Sequence, residues 1–138
     1  VRTYDRGVRD MIEATIQRMV DDVAKAYGVT MTFKYDRNID ATINDPAHTQ
    51  IAADAMARII GAENVDTNTA PSMGGEDFGG MLAVVPGAYI NVGQGTPDPN
   101  SPHNQGLHHP RYDFNDEVLP IAIDYFVELT ESSMPLKA

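Results

Sequence analysis

The sequence predicts an α/β fold, because its apolar residues repeat with a helical period in some segments and with a period of two in others. Residues 5–27 carry apolar side chains three and four positions apart, which is typical of an amphipathic helix. Residues 29–43 carry them at every second position, which predicts a long strand with one buried face. In the rest of the chain, helical and strand patterns alternate, as they do where helices cover a sheet.

The first predicted helix has signals at both ends. Asp5 is the expected N-cap, because its carboxylate can accept hydrogen bonds from the free backbone amides of the first turn. Gly28 stands where a glycine commonly ends a helix. The helix is therefore expected to begin and end close to these two residues.

A strong break follows at Asn44-Asp45-Pro46. Asp45 suits an N-cap, and Pro46 suits the first helical position, where the missing N–H costs nothing. The second helix is expected to end before Gly61. Its predicted inward residues are Ile51, Ala52, Ala55, Met56 and Ile59. This break divides the chain into residues 1–44 and residues 45–138.

The second part continues the alternation of helices and strands. In order, it is expected to contain a short strand near Val65, a glycine loop at 71–78 that opens a short helix, a buried strand at 88–92, a loop at 93–107 and a final helix capped by Asn115. The inner stripe of that final helix is predicted to be Leu119, Ala122, Ile123, Phe126 and Leu129.

Composition excludes several classes of function. Ten Lys and Arg against twenty Asp and Glu give a formal charge of −10, which argues against a nucleic-acid partner. Cysteine is absent, so thiolate metal sites and disulfides are excluded within the segment. No apolar run approaches the roughly 20 residues of a membrane span. The first five residues look like the end of a strand, so we expect the chain to be part of a longer protein.

Histidine is the commonest metal ligand, and two of the four histidines are adjacent. His48 and His103 are interpreted as surface residues. His108 and His109 end the long loop before a stiffening proline, and an extended backbone would turn their side chains to opposite sides. At most one of them would then face a metal. On the residues alone, a metal site and a solvated loop both stay open.

The glycine loop also has two interpretations. Gly74 and Gly75 precede a helix start, where converging amides favour an anion. Glu76 and Asp77 could satisfy the same amides themselves, which would leave only a tight turn and a capped helix.

Two motifs, taken together, resemble one known family. Residues 72–78 read SMGGEDF, and residues 107–114 read LHHPRYDF, with Asp116 and Glu117 following. This pair is similar to the dinuclear-metal amidohydrolases, which include hippurate hydrolase, N-acyl-amino-acid amidohydrolases and auxin-conjugate hydrolases. The resemblance covers essentially the whole chain.

The resemblance implies a fold and a set of site residues. Residues 1–44 would be the end of a small α/β lid, or dimerisation, domain. Residues 45–138 would be the C-terminal part of a zinc-peptidase-like α/β catalytic domain. His108 matches the last metal ligand of the family. Gly74, Gly75 and His109 would bind or flank the substrate, while the other ligands and the catalytic glutamate would lie outside the chain.

The same resemblance implies metal-dependent hydrolysis of the amide bond in N-acyl amino acids such as hippurate. It implies two divalent ions, zinc or manganese, a cytoplasmic location, and a homodimer formed through the lid domain. The segment alone would be inactive, because it supplies one ligand and no catalytic residue. The alternative is a non-catalytic binding or dimerisation module, or a truncated inactive fragment.

Overall fold

A computed structural model describes residues 1–134 and shows four α-helices joined by long connections. Helix α1 is Arg6–Tyr27, α2 is Pro46–Ile60, α3 is Phe78–Leu82 and α4 is Val118–Ser133. Short 3₁₀ turns occur at Ala62–Asn64 and Pro102–Asn104. None of the helices in the described range has the length and apolarity needed to span a bilayer.

The chain divides into two compact units. The first combines Val1–Ile43 with Ala70–Pro86, and it contains α1 and α3. The second combines Asn44–Thr69 with the chain from Gly87 onward, and it contains α2 and α4. The identity of residues 1–44 as a lid and of residues 45–138 as a catalytic domain stays a prediction.

Helix α1 is confirmed together with both of its end signals. The Asp5 carboxylate accepts a hydrogen bond from the Val8 N–H at 2.8 Å. Gly28 has φ 65° and ψ 31°, the left-handed conformation that glycine adopts without a steric penalty. The prediction succeeds here because both caps depend on a few neighbouring residues.

Ion pairs hold α1 to the segment at 37–40. Arg6 and Arg9 contact the Asp40 carboxylate at 2.6 Å and 2.5 Å, and the hydrogen bond from Arg9 lowers the pKa of Asp40. Arg37 contacts Asp10 at 2.7 Å and is also hydrogen-bonded to Glu13. Each of these guanidinium groups is therefore paired with a carboxylate within the first unit.

The predicted strands at 29–43, near Val65 and at 88–92 are not formed in residues 1–134. A period-two pattern requires only that one face be buried, whereas a strand also needs a second backbone to accept and donate its hydrogen bonds. No such ladder lies within the described residues. The helical half of the fold class is thus observed, and the sheet half stays a prediction.

The alternation itself is visible in the packing. The rings of Phe33 and Tyr35, two positions apart, lie with their centroids 6.2 Å from each other. Ala88, Ile90 and Val92 all pack against the core of the second unit. Ala88, Ile90 and Val92 keep the one-sided arrangement that their spacing predicts, although no strand is assigned to them. In the segment at 29–43 the predicted buried face is wrong for four apolar residues: Val29, Met31, Ile39 and Ile43 are 53%, 52%, 53% and 68% exposed.

Helix α2 begins at the predicted cap. The Asp45 carboxylate accepts a hydrogen bond from the His48 N–H at 3.0 Å. The His48 ring lies 2.7 Å from the same carboxylate, and this hydrogen bond lowers the pKa of Asp45. The Asn44 side chain bonds both the N–H and the carbonyl of Tyr89, at 2.8 and 2.9 Å. The start of α2 is therefore attached to the segment at 87–92.

The hydrophobic core of the second unit lies where α2 packs on α4. Ala55 is fully buried, with 0% exposure, and Tyr125 is only 5% exposed. The other buried members of this core are Ala52 and Met56. Small alanine side chains on α2 let the two helices approach closely, so the tyrosine ring of α4 can be covered. Of the predicted inward residues of α2, Ile51 proves exposed at 44%.

The predicted inner stripe of α4 is wrong for three of its residues. Leu119, Ile123 and Phe126 are 48%, 61% and 65% exposed. The side that faces the core is marked instead by Tyr125 and by the half-buried Ile121 and Leu129. Because α4 is apolar on both sides, periodicity alone does not decide which side is covered. The helix also begins at Val118, three residues after the predicted cap Asn115.

We expect Ala55→Leu to destabilise the second unit, because the added carbons have no space between α2 and α4. Overpacking of this kind costs about 1–3 kcal/mol. Urea unfolding followed by circular dichroism measures it. The matched control is Ala47→Leu on the exposed first turn of the same helix, which should change stability little. Equal stability of the two variants would contradict the packing described here.

Candidate functional site

The predicted site residues lie in two different units of the chain. Gly74 and Gly75 belong to the first unit, and His108 and His109 belong to the second.

The glycine loop satisfies part of its own hydrogen bonding. The Gly74 N–H donates to the Ser72 hydroxyl at 3.1 Å, and the Phe78 N–H donates to the Glu76 carboxylate at 3.1 Å. These two amides are therefore not open to an anion. The capped-turn interpretation of the loop accounts for both of them.

Arg2 lies over the same loop. Its guanidinium donates to the Met73 carbonyl at 2.6 Å. A Cβ atom at position 75 would lie 3.3 Å from the Arg2 Nη2 atom, so the absence of a side chain at Gly75 leaves room for the guanidinium. Arg2 is thus a cationic group beside the loop that the sequence did not indicate.

Helix α3 is held by a close backbone approach. A Cβ atom at Gly79 would lie 3.0 Å from both the Asp40 carbonyl oxygen and the Thr42 hydroxyl. Real Cβ contacts are rarely so short, so only glycine fits without movement. The neighbouring Gly80 has no atom within 4 Å of its ideal Cβ position. Gly79 therefore fixes the position of the glycine loop against the segment at 40–42.

In the second unit, Gln94 holds the loop that carries the histidines. Its Nε2 group donates to the His103 carbonyl at 3.0 Å and to the Asp113 carbonyl at 3.4 Å. Its Oε1 atom accepts from the Tyr112 hydroxyl at 3.1 Å and from the Asn115 N–H at 3.3 Å. One side chain thus joins the two ends of the segment at 103–115.

Asn115 completes this network. It is 7% exposed, and its Nδ2 group donates to the Gln94 carbonyl at 3.1 Å. Its Oδ1 atom accepts from the Glu117 N–H at 3.1 Å in the turn that leads into α4. Asn115 therefore connects the loop to the final helix, although the helix itself begins later.

Sequence reasoning missed Gln94, although a signal for it exists. Ala88, Ile90 and Val92 face the core at every second position, and Gln94 is the next residue in that series. A glutamine amide has two N–H donors and an acceptor oxygen. On the buried side at the start of a long loop, it can bond several backbone groups of that loop at once.

The two adjacent histidines lie in consecutive turns. The His109 N–H donates to the Gly106 carbonyl at 2.9 Å, so Leu107 and His108 are the central residues of the first turn. The Tyr112 N–H donates to the His109 carbonyl at 2.9 Å, which places Pro110 at the second position of the next turn, where proline is favoured. The expectation of an extended backbone is therefore wrong for Leu107 and His108.

The two imidazoles nevertheless have different surroundings. The Nδ1 atom of His109 accepts a hydrogen bond from the Arg111 N–H at 3.1 Å, so in the neutral ring the proton is on Nε2. His109 is half-buried, whereas His108 is exposed. Within residues 1–134, no hydrogen bond or ion pair involves the His108 side chain. Both nitrogens of His108 therefore remain available.

His103 is tied to the same loop through its ring. Its Nδ1 atom lies 3.0 Å from the Asp113 carbonyl oxygen, and the ring proton on Nδ1 is the donor in this contact. The interpretation of His103 as a solvated surface residue is thus wrong in part, because its side chain is only 25% exposed and has a fixed partner.

The described residues do not by themselves form a complete metal site. No group of three or more His, Cys, Asp or Glu side chains within residues 1–134 is arranged to hold an ion. A structural or catalytic zinc needs three or four protein ligands. His108 fits the role of one such ligand, since its imidazole is exposed and uncommitted.

One known protein family matches most of the chain. Residues 5–132 match the model of peptidase family M20/M25/M40. No solved structure matches the chain significantly.

Curated relatives at modest identity include two deacetylases and a hydrolase. The N-acetylcysteine deacetylase of Bacillus subtilis is 30% identical over 94% of this chain and 31% of its own length. The N-acetyldiaminopimelate deacetylase of Streptococcus suis is 29% identical over 90% of this chain and 31% of its own length. The hippurate hydrolase of Campylobacter jejuni is 27% identical over 94% of this chain and 32% of its own length. The chain thus spans about a third of the length of the curated relatives it matches.

We expect Gly79→Ala to destabilise the first unit, because the new methyl group would meet the Asp40 carbonyl. An alanine in a helix normally gains about 0.5–1 kcal/mol over glycine. Gly80→Ala, with open space around it, should show that gain and is the matched control. Urea denaturation measures the free energy of unfolding, which should fall in Gly79→Ala and rise in Gly80→Ala. A rise in both variants would refute the close approach at Gly79.

Gln94→Met should loosen the histidine loop while keeping the length of the side chain. The variant leaves the His103 carbonyl and the Asn115 N–H without a partner, at a cost of about 1–3 kcal/mol. Amide hydrogen exchange at His109 and Tyr112 should become faster. Gln50→Met on the exposed side of α2 is the control. Unchanged protection of the two turn amides would show that Gln94 does not hold the loop.

Proposed function

The chain belongs to peptidase family M20/M25/M40, and we propose that its protein hydrolyses the amide bond of N-acyl amino acids. The curated relatives named above are deacetylases and a hippurate hydrolase, and these names support amide hydrolysis in general. Hippurate-like substrates, with an aromatic acyl group, are the finer part of the proposal.

One observation carries the proposal beyond family membership. His108 presents an uncommitted imidazole at the tip of a turn, and the segment that contains the turn is held at both ends by Gln94. Metal ligation requires a nitrogen held in place with its lone pair free, and rigid flanks reduce the entropy lost on binding. The adjacent His109 has one ring nitrogen already occupied by Arg111.

A divalent ion, zinc or manganese, would be held by His108 together with ligands outside the described residues. Such ions polarise a carbonyl and lower the pKa of a bound water. We propose two ions per complete site. The role of this chain is to supply His108 and to position it.

His109 would contact the substrate rather than the metal. With Nδ1 accepting from the Arg111 backbone, the neutral ring presents an Nε2–H, which is a hydrogen-bond donor. A donor suits a carboxylate or a carbonyl oxygen of the substrate and does not suit a cation. Gly74 and Gly75 are proposed as part of the substrate-binding surface of the whole protein, with Arg2 as the cation beside them.

The proposal extends to the location and the oligomeric state of the protein. The protein would act in the cytoplasm, and it would form a homodimer through the lid domain that includes residues 1–44. Apolar side chains on α1 support the second proposal, since Met11 and Met19 are 62% and 59% exposed.

We expect His108→Ala to abolish the binding of a divalent ion and His109→Ala to retain it. Purified chain is titrated with Mn²⁺, whose unpaired electrons broaden the NMR signals of nearby groups. Weak binding is expected, because one imidazole provides a single ligand, and signals at residues 107–109 should broaden first. Loss of this broadening in His109→Ala with retention in His108→Ala would reverse the assignment.

Activity provides the second measurement. The 138-residue chain with zinc or manganese should not hydrolyse hippurate or N-acetyl amino acids, because the described residues hold no complete metal site. Turnover by the chain alone would show that the missing ligands have been mapped incorrectly. In a protein containing this chain with the complete ligand set, His108→Ala should remove turnover and His109→Ala should leave a measurable rate.

A further inference from the structure

We propose that a cleft beside the histidine turn binds a carboxylate group, with Arg111 as its cation. The cleft lies in the second unit and has a volume of about 300 Å³. Its lining residues are Pro99, Asn100, Pro102, Gln105 and Arg111. The proposal rests on the proposed function, because N-acyl amino acids carry a free carboxylate that this cleft would recognise.

The charge of Arg111 is not neutralised by any described side chain. Arg58 and Arg111 are the two Lys or Arg residues of the second unit up to residue 134. Arg58 pairs with Glu128 at 2.7 Å, whereas the Arg111 guanidinium has no ion pair or hydrogen bond within the described residues. In a chain with formal charge −10, an anion is repelled in general, so a binding site for one needs a local cation.

The rest of the lining supports the same ligand. The side-chain amides of Asn100 and Gln105 can each donate hydrogen bonds, and neither has a partner in residues 1–134. No aspartate or glutamate is among the described residues that line the cleft, and the two prolines give it an apolar wall. A guanidinium fork with two amide donors fits the two oxygens of a carboxylate, and the prolines can contact the carbon atoms beside it.

A second cleft, in the first unit, provides a contrast. It has a volume of about 240 Å³ and contains Arg9 and Arg37, but also Asp40 and Asp77. Both of its guanidinium groups are already paired with carboxylates. The guanidinium groups of that cleft are therefore not available to an anion, whereas the Arg111 guanidinium is available.

The backbone connects the Arg111 cleft to the proposed metal ligand. The Arg111 N–H donates to the His109 ring, and Arg111 lies in the turn that directly follows the turn of His108. Two of the residues that line the cleft, Gln105 and Arg111, belong to the segment at 103–115 that Gln94 holds. A substrate carboxylate seated on Arg111 would be held by the same piece of chain that presents His108, so Arg111 would determine specificity for acids over neutral amides.

Binding to the 138-residue chain tests this without metal or turnover. Hippurate and its neutral analogue hippuramide are titrated at constant ionic strength, and the side-chain NMR signals of Arg111, Asn100 and Gln105 are followed. Hippurate should shift all three signals, and Arg111→Gln should weaken its binding at least tenfold. Hippuramide should bind weakly and equally to both proteins. Arg111 is exposed, and its side chain has no partner in the part of the chain that the structure describes, so the variant should keep its backbone amide spectrum outside the cleft.

Two variants serve as controls. Arg18→Gln removes an exposed guanidinium on α1 that has no ion pair among the described residues and lines neither of the two clefts. It should leave hippurate binding unchanged. Arg111→Lys keeps the charge and loses the fork, so its affinity should lie between those of the wild type and Arg111→Gln. The proposal is overturned if Arg111→Gln binds hippurate as the wild type does, if hippuramide binds equally well, or if the lysine variant is as weak as the glutamine variant.

The assay separates this proposal from the hydrolytic one. Both outcomes are read in a protein that contains this chain together with the complete ligand set. Hippurate binding that depends on Arg111, without metal uptake or turnover in that protein, would leave the carboxylate site in place and refute the proposed hydrolysis. Turnover by that protein with equal KM for hippurate and hippuramide would leave the proposed hydrolysis in place and refute the carboxylate site.

Discussion

The packing of α2 on α4 is the constraint on which the second unit depends. Ala55 is completely buried at this contact, and Tyr125 is covered from the facing helix. Ala88, Ile90 and Val92 pack on the same core, so the segment at 87–92 takes its position from the two helices. Gln94 lies two residues beyond Val92, and its hydrogen bonds hold the histidine loop to this segment. Hydrophobic burial thus fixes a polar side chain, and the polar side chain fixes the turn of His108.

Helices α1 and α2 could be predicted from the sequence because their determinants are local. Asp5, Gly28 and Asp45 act on backbone groups within four residues of themselves, and the structure confirms all three roles. The inner side of α4 could not be predicted in this way. Both sides of that helix are apolar, and the packing of α2 on Tyr125 determines which side is buried.

The strands and the loop network depend on partners that are distant in sequence. A period-two pattern at 29–43 specifies a face and leaves the hydrogen-bonding partner undefined, so a strand does not follow from the pattern alone. Gln94 and Asp113 are 19 residues apart, and no spacing rule connects a glutamine to that carbonyl. The assignments of His108, His109, Gly74 and Gly75 came from resemblance to a family. The structure adds the surroundings of each residue, and their roles stay predictions.

The arginines show how the same residue type can serve stability at one place and recognition at another. Arg6, Arg9 and Arg37 each reach a carboxylate on another segment of the first unit, and their charge is used in holding α1 to residues 37–40. Arg111 lies in an acidic chain and reaches no carboxylate of residues 1–134. Its backbone is fixed by the His109 ring, so the side chain is kept near the turn while its charge stays uncompensated. A guanidinium that no described side chain compensates, in a cleft with two free amides, is complementary to an anion.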